Sequence, residues 1–372
     1  MWKSRNPVDG WLLTILLTLT GVGFIIFLSA SVGLVARETG ADFRSIIFGQ
    51  LVFGLIPGLV LMFILARVPH RALRKISFYL LLFAFVLSLF VFIPGIGFEH
   101  GGAKRWIDLR FTTFQPAELL KFAVILYLAA WFSMVKQKIQ TLRFGLLPLA
   151  VVLVLTGATL VAQPDIDTFL IITVSGTAMY FAGGAKPKHI AAFIGVGIVL
   201  SLVATMLFPH VRTRIMTFVD PSHDPQGASY QLRQSLIAVG SGGLTGKGFG
   251  KSVQKYNYLP ESIGDSVYAV ASEEFGFIGS IALLSLFFVL SHRGFRVATR
   301  APDTFGKLLA IGIVTMFTTQ ALINIGSMIG TFPLSGTPLP FVSHGGSALL
   351  FTLAEAGVLL AISRSVKEPS VL

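Results

Sequence analysis

The chain has 372 residues, of which 54% are hydrophobic and only 12% are charged. Soluble domains carry about twice that charged share, so the composition excludes this class and indicates a polytopic membrane protein. The formal net charge of +12 invites a nucleic-acid ligand, but Lys and Arg beside apolar spans are explained by membrane topology, and we expect no nucleic-acid partner. Because the chain has no cysteine, disulfides and thiolate metal sites are excluded.

Continuous apolar runs predict about ten transmembrane helices, because a helix needs about 20 apolar residues to cross a bilayer. The predicted spans are Trp11–Ser31, Ile46–Ala66, Ile76–Ile93, Ala117–Val135, Phe144–Ala162, Ile166–Ala182, His189–Phe208, Val267–Leu290, Phe305–Ile329 and Gly345–Ser363. We therefore expect an all-α integral membrane protein that forms a single polytopic domain over residues 1–372.

The distribution of Lys and Arg predicts the orientation of these spans. Most basic residues of the short loops lie on the side of the two termini, and the opposite short loops hold only Arg37, Arg44, Lys104, Arg105 and Arg110. The positive-inside rule therefore places both termini in the cytoplasm.

A long extracytoplasmic loop, Pro209–Ser266, separates the seventh and eighth predicted spans. A connection of this length is typical of a functional segment. Within it, Ala228–Val239 has apolar residues at helical spacing, which predicts a helix in the outer membrane interface.

The glycine-rich stretch Gly240–Gly250, GSGGLTGKGFG, follows that predicted helix. Its backbone N–H groups could cradle a phosphate. It is not a Walker motif, because Ser241 replaces the first glycine and Gly248 follows the lysine where Ser or Thr is needed. A hinge that returns the chain to the membrane is the alternative.

The stretch Tyr258–Gly279 concentrates four carboxylates in an otherwise apolar protein. Asp265 lies just before the eighth span, where it can act as a catalytic acid or base or cap the helix. Glu273 and Glu274 lie about two turns deeper, where acids are costly unless they are paired. We expect these two to be structural.

The segment Gly101–Lys121 forms an outward loop that leads into the fourth span. Lys104, Arg105 and Arg110 could bind phosphate oxygens of a substrate or of lipid headgroups. Glu118 and Lys121 are three residues apart, so they share a helix face and are expected to pair.

Two further polar segments face the same side. The turn Gln163–Thr168, QPDIDT, offers Asp165 and Asp167 as oxygen ligands for a metal or as capping groups. The segment Gly330–Ser347 is rich in Pro and Gly, which indicates irregular backbone packed against protein, and His344 within it is interpreted as structural.

Six ordered blocks resemble those of the SEDS family (shape, elongation, division and sporulation), bacterial membrane glycosyltransferases typified by FtsW and RodA. The blocks are GAKRWI, QPAELLK, QPDIDT, YQLRQSLIAVGSGGLTGKGFG, LPESIGDSVYAVASEEFGFIG and PLPFVSHGGS. FLSAS and SVQKYNYLPE look more like the division-type FtsW branch, and GLTGKGFG leans toward the elongation type, so FtsW is slightly favoured.

This resemblance implies polymerisation of lipid II into glycan strands at the outer face of the bacterial cytoplasmic membrane. It places the essential acid, a general base, on Asp265, and a buried acid and base pair on Glu118 and Lys121. The residues expected to contact substrate are Lys104, Arg105, Glu118, Lys121, Lys247, Glu261 and Ser343. The resemblance further implies a class B penicillin-binding protein transpeptidase as partner beside the membrane lipids, and Mg²⁺ or Mn²⁺ as candidate cofactors.

The sequence departs from the family pattern at three positions. Gly264 stands where the family has Thr, Asp167 where it has Gly, and His344 where it has Tyr. Two alternative functions stay open, a lipid II flippase and a non-catalytic scaffold of the cell-wall synthesis complex.

Overall fold

The computed structural model describes residues 7–36, 40–100, 103–110, 112–207, 209–220 and 227–366. Arg37, Gly101 and Gly102, on which predictions were based, lie outside the described residues, as do residues 221–226 of the long loop. The helices are α1 (Gly10–Ser31), α2 (Gly40–Gly49), α3 (Ile56–Leu65), α4 (His70–Leu89), α5 (Pro116–Val135), α6 (Leu147–Ala162), α7 (Ile166–Ala182), α8 (Pro187–Leu207), α9 (Pro209–Val219), α10 (Ala228–Ser241), α11 (Val267–Arg300), α12 (Thr304–Met328) and α13 (Gly346–Ser363).

The helices confirm an all-α, multi-pass membrane protein. Among the described residues, 8 helical segments are long and apolar enough to cross a membrane, and α2 and α3 form one of them through a π-helical turn, Gln50–Leu55. Helix α7 and the segment Pro187–Val199 of α8 are apolar but shorter. Each predicted span coincides with a helix over its described residues, which exclude Phe208, and the total of ten crossings stays a prediction.

A small antiparallel sheet replaces part of the outward loop expected at Gly101–Lys121. Its strands are β1 (Gly97–His100), β2 (Ala103–Asp108) and β3 (Thr113–Phe114), in the order β1-β2-β3. The sequence predicted the connection into the fourth span but not the strands within it. Successive side chains of a strand point to opposite faces, so β2 separates residues that are adjacent in sequence.

Helix α12 lies at the centre of the bundle, where it packs against α11, α7 and α5. Two amide side chains of α12 reach the irregular segment that precedes α13. Gln320 Nε2 donates to the Pro338 carbonyl at 2.8 Å, and Asn324 Nδ2 donates to the Thr337 carbonyl at 2.8 Å. The Pro- and Gly-rich segment is thus irregular backbone fixed against protein, as predicted.

The glycine-rich stretch fills a break in α11. Gly276 has φ 66° and ψ −164°, which interrupts the helix. The amides of Lys247 and Gly248 donate to the carbonyls of Glu273 and Glu274 at 3.0 and 2.9 Å, and the Phe277 amide donates to the Gly243 carbonyl at 2.9 Å. These bonds satisfy backbone groups that the break in α11 leaves without helical partners. The amides of Lys247 and Gly248 are therefore not available to cradle a phosphate.

Candidate functional site

Asp265 lies in a turn directly before α11, and the backbone on both sides of it is fixed. Asn324 Nδ2 donates to the Asp265 carbonyl at 2.7 Å. Ser343 Oγ donates to the Gly264 carbonyl at 2.8 Å. The N-cap position of α11 is held by Ser266, so Asp265 lies one residue outside the helix and its half-buried carboxylate is free of the capping role considered from sequence.

Two arginines border the Asp265 carboxylate around Gly336. A Cβ built on Gly336 would lie 3.5 Å from Asp265 Oδ2, 3.7 Å from Arg214 Nη2 and 3.8 Å from Arg105 Nη1. Arg105 comes from β2 and Arg214 from α9. Elements distant in sequence thus bring one carboxylate and two guanidinium groups to a single space.

The turn Gln163–Thr168 holds the Arg105 guanidinium in place. Arg105 Nε donates to the Gln163 carbonyl at 3.1 Å, and Nη2 donates to the Pro164 carbonyl. Asp165 Oδ1 accepts from the Thr168 amide at 3.3 Å, so Asp165 caps α7, which confirms the capped turn. A guanidinium fixed in this way can present its remaining N–H groups to an anion.

The surroundings of Asp265 raise the pKa of its carboxyl from the ordinary value of 3.8 to about 7. Burial is the largest cause, and the negative charges of Glu261 and Asp167 add to it, whereas Arg105 and Arg214 lower the pKa. A carboxyl group with a pKa near neutrality can accept a proton at physiological pH and is matched to general base catalysis.

Glycine at position 264 makes room for the neighbouring acid. A Cβ at Gly264 would lie 3.2 Å from Glu261 Oε2, closer than ordinary packing allows. Glu261 is exposed and has a φ of 48°, and its carbonyl accepts from the amides of Gly264 and Ser266 at 3.0 and 3.1 Å. The departure from Thr thus lets the Glu261 carboxylate fold back over the turn beside Asp265.

Glu118 and Lys121 of α5 form an ion pair inside the bundle, as their spacing predicts. Lys121 Nζ lies 3.0 Å from Glu118 Oε2, and both side chains are buried. The ammonium group also donates to Gln320 Oε1 at 3.0 Å. Gln320 also donates to the Pro338 carbonyl. The ion pair therefore supports the segment before α13 from inside the bundle.

Glu273 and Glu274 are bound by a second set of polar groups. Lys247 Nζ lies 2.6 Å from Glu273 Oε1, and Lys255 Nζ lies 2.8 Å from Glu274 Oε1. Ser29 of α1 donates to Glu274 Oε2 at 2.5 Å. These contacts fasten the loop after α10 to α1 and α11, and they place Lys247 with Glu273, so the structure does not bring it together with Asp265.

Lys104 and His344 also point away from the Asp265 carboxylate. Lys104 Nζ lies 3.7 Å from Glu99 Oε2 on the exposed side of β2. The His344 ring stacks on Phe27 with centroids 5.7 Å apart, and burial lowers its pKa to about 4, so the imidazole is neutral at physiological pH. Its amide donates to the Ile263 carbonyl at 2.8 Å, which agrees with a structural role.

Sequence reasoning missed Arg214, Gln320 and Asn324. Arg214 lies in the long loop Pro209–Ser266, from which only Lys247 and Glu261 were predicted to contact substrate. The signal was an arginine in a loop already expected to be functional. Gln320 and Asn324 are four residues apart on an apolar helix, and polar residues on one face of such a helix are a usable signal.

Comparisons with known proteins all point to the same family. Residues 10–368 match the model of the FtsW, RodA and SpoVE family, described as cell cycle protein. Stage V sporulation protein E of Bacillus subtilis is 38% identical over 376 residues, which cover 98% of this chain and 99% of that protein. The probable peptidoglycan glycosyltransferase FtsW of Trichlorobacter lovleyi is 37% identical over 359 residues, which cover 96% and 93%.

Two solved structures share the fold over the whole length. A chain from work on the structural coordination of polymerization and crosslinking by a peptidoglycan synthase complex has a TM-score of 0.77 and 26% identity, with 99% of this chain and 100% of that chain covered. The rod shape determining protein RodA of Thermus thermophilus has a TM-score of 0.69 and 25% identity, with 99% of each chain covered.

Proposed function

Because the chain belongs to the FtsW, RodA and SpoVE family of cell cycle proteins, we propose that it is a peptidoglycan glycosyltransferase that polymerises lipid II. The observation that supports this proposal most directly is the half-buried Asp265 carboxyl, whose pKa is about 7, beside Arg105 and Arg214. This arrangement suits removal of a proton from a hydroxyl group while negative charge develops on a departing phosphate.

In the proposed reaction, the 4-hydroxyl oxygen of one lipid-linked disaccharide attacks the anomeric carbon of another. A new carbon–oxygen bond forms, the bond from the anomeric carbon to the pyrophosphate oxygen breaks, and the lipid pyrophosphate leaves with the bonding electrons. Asp265 accepts the hydroxyl proton, a role that contributes about 10²–10⁴-fold to the rate. Arg105 and Arg214 stabilise the pyrophosphate charge.

The other residues expected to contact substrate divide into two groups in this proposal. Glu261 lies beside Asp265, and Ser343, Glu118 and Lys121 hold the backbone around it, so they serve the site through Asp265 and the segment before α13. Lys104 and Lys247 lie on other surfaces, where their partners are Glu99 and Glu273.

A divalent cation would need help from the substrate. Within the described residues, no group of three or more His, Cys, Asp or Glu side chains is arranged to hold a metal. The pyrophosphate oxygens of the substrate would therefore supply most of the ligands of Mg²⁺ or Mn²⁺, because Mg²⁺ is usually bound by only one or two carboxylates plus phosphate oxygens. A cation bound there would neutralise charge on the leaving group.

The proposal includes a location and a partner. The enzyme would work in the bacterial cytoplasmic membrane with both termini in the cytoplasm and Asp265 on the outer side, where its substrate supplies the energy through the leaving pyrophosphate. The structural relative from a peptidoglycan synthase complex supports a class B penicillin-binding protein transpeptidase as partner.

The experiment that tests this function is polymerisation of purified lipid II by the full chain, alone and with the transpeptidase. We expect glycan polymer from the wild type with its partner and none from Asp265→Ala. Asp108→Asn, which removes an exposed carboxylate on the outward sheet, is the control and should polymerise normally. Polymerisation by a folded Asp265→Ala protein would refute the role of Asp265, and translocation of lipid II without polymer would indicate a flippase.

A further inference from the structure

Asp167 connects three elements of the site through one oxygen atom. It lies in the first turn of α7, and its Oδ2 accepts from Arg214 Nη1 of α9 at 2.9 Å. The same oxygen accepts from the Gly336 amide at 3.0 Å. The Asp167 side chain is only 15% exposed. It therefore fixes both the arginine and the glycine that border the Asp265 carboxylate.

The Arg214 guanidinium binds one carboxylate and lies near a second. Nη1 is bound to Asp167, and Nη2 lies toward the space over Gly336 that Asp265 Oδ2 also borders. A planar guanidinium cannot turn one amino group without the other. Loss of the Asp167 contact would therefore release the orientation of Nη2 at the site.

The charge on Asp167 also acts on the proposed base. The charged groups that act on Asp265 are Glu261 and Asp167, which raise its pKa, and Arg105 and Arg214, which lower it. Asp167 has two effects in the same direction, because it repels the Asp265 carboxylate directly and neutralises part of the Arg214 charge.

We propose that Asp167 is a positioning residue that orients Arg214 and the Gly336 backbone around Asp265 and sets the pH range in which Asp265 works as a base. This inference rests on the proposed polymerase function. It assigns a role to an acid at a position where the sequence departs from the SEDS pattern. Asp167 acts through its neighbours and does not contact the reacting atoms.

The test is the pH dependence of lipid II polymerisation by the chain with its transpeptidase, for wild type, Asp167→Asn and Asp167→Gly. Asn keeps an acceptor for the Gly336 amide and removes the charge. We expect the midpoint for Asp167→Asn to move to lower pH by about half a unit, less than the ~1–3 units produced by an adjacent charge. The ratio of the rate at pH 6 to that at pH 8 should then rise about two- to threefold.

Asp167→Gly should show the same midpoint shift and a further loss of about tenfold in kcat/KM, because both anchored groups are released. Asp108→Asn, the matched loss of an outward carboxylate, should leave both the midpoint and kcat/KM unchanged. An unchanged midpoint in Asp167→Asn would overturn the proposal, and this variant keeps the test decisive if Asp167→Gly does not fold. Absence of polymer from the wild type at every pH would instead refute the polymerase function.

Discussion

Glu274 and Asp265 are carboxylates at two ends of the same short stretch, yet their surroundings differ. Glu274 is buried against the Lys255 ammonium at 2.8 Å and the Ser29 hydroxyl at 2.5 Å. Asp265 has two guanidinium groups in its vicinity, but it takes part in none of the ion pairs formed between described residues. Its pKa rises to about 7.

This difference separates carboxylates that hold the fold from one that is left able to change its protonation state. A buried charge that is paired and hydrogen-bonded holds together the elements that carry it, and removal of its partner is costly. A carboxyl group that is desolvated but incompletely neutralised is unfavourable for stability and suited to acid–base chemistry.

The largest effect is expected from removing the cation that pairs with the structural carboxylate, Glu274. Lys255→Met leaves Glu274 buried without its cation, which should destabilise the protein by about 3–5 kcal/mol. Thermal melting of the detergent-solubilised protein measures this loss. Lys104→Met removes a lysine from an exposed ion pair and should change stability by at most about 1 kcal/mol; equal losses in the two variants would show that Glu274 does not depend on Lys255.

A second prediction concerns two adjacent basic residues that β2 directs to different surroundings. Arg105→Ala should lower kcat/KM for lipid II by about 100-fold, since one donor to a developing negative charge is worth about 10²–10³-fold. Lys104→Ala should cost less than about threefold, because its partner is the exposed Glu99. Polymerisation kinetics of the two variants measure this difference. A larger loss in Lys104→Ala than in Arg105→Ala would contradict the role of Arg105 in stabilising the leaving pyrophosphate.

A third prediction fills the space beside Asp265. The methyl group of Gly336→Ala has ordinary contact distances of 3.5 to 3.8 Å to the surrounding charged groups, so the variant should melt at the wild-type temperature. The same methyl group should raise KM for lipid II about tenfold, the order of effect of one misplaced carbon in a binding site. A normal KM in a folded variant would place the substrate elsewhere.

The smallest expected change is the response of the wild type to pH. Asp265 acts as a base only when it is ionised, so the polymerisation rate should rise with pH through a midpoint near its pKa of about 7. Between pH 6 and pH 8 the increase should be about tenfold. A rate that is constant over this interval would exclude an ionisation of Asp265 in the chemical step.

Features set by local sequence could be predicted, whereas features set by tertiary packing could not. Apolar runs of about 20 residues identify helices, and a spacing of three residues places Glu118 beside Lys121. The opposite directions of Lys104 and Arg105 depend on a strand whose short polar sequence resembles a loop. The pairing of the glycine-rich stretch with the break at Gly276 depends on backbone bonds between distant segments.

The site itself shows the same limit. The sequence identifies Asp265 as an acid beside a span, but its neighbours Arg214 and Gly336 come from other parts of the chain. No local pattern links α9 to the segment before α13, because their contact runs through Asp167. The position of Asp265 in the fold, rather than its residue type, distinguishes it from the other carboxylates.

The most direct measurement of the central claim is a paired assay on one preparation of Asp265→Asn, with polymerisation and thermal melting recorded at pH 5 and pH 8. The pKa of Asp265 is higher in the folded protein than its ordinary value. As pH rises from 3.8 toward 7, the unfolded chain loses the Asp265 proton while the folded protein keeps it, so the free energy of unfolding falls. We predict no polymer from the variant and a melting temperature above that of the wild type, with the larger difference at pH 8. Polymerisation at the wild-type rate, or a melting temperature lowered at pH 8, would contradict the claim that Asp265 is retained for chemistry at the expense of stability.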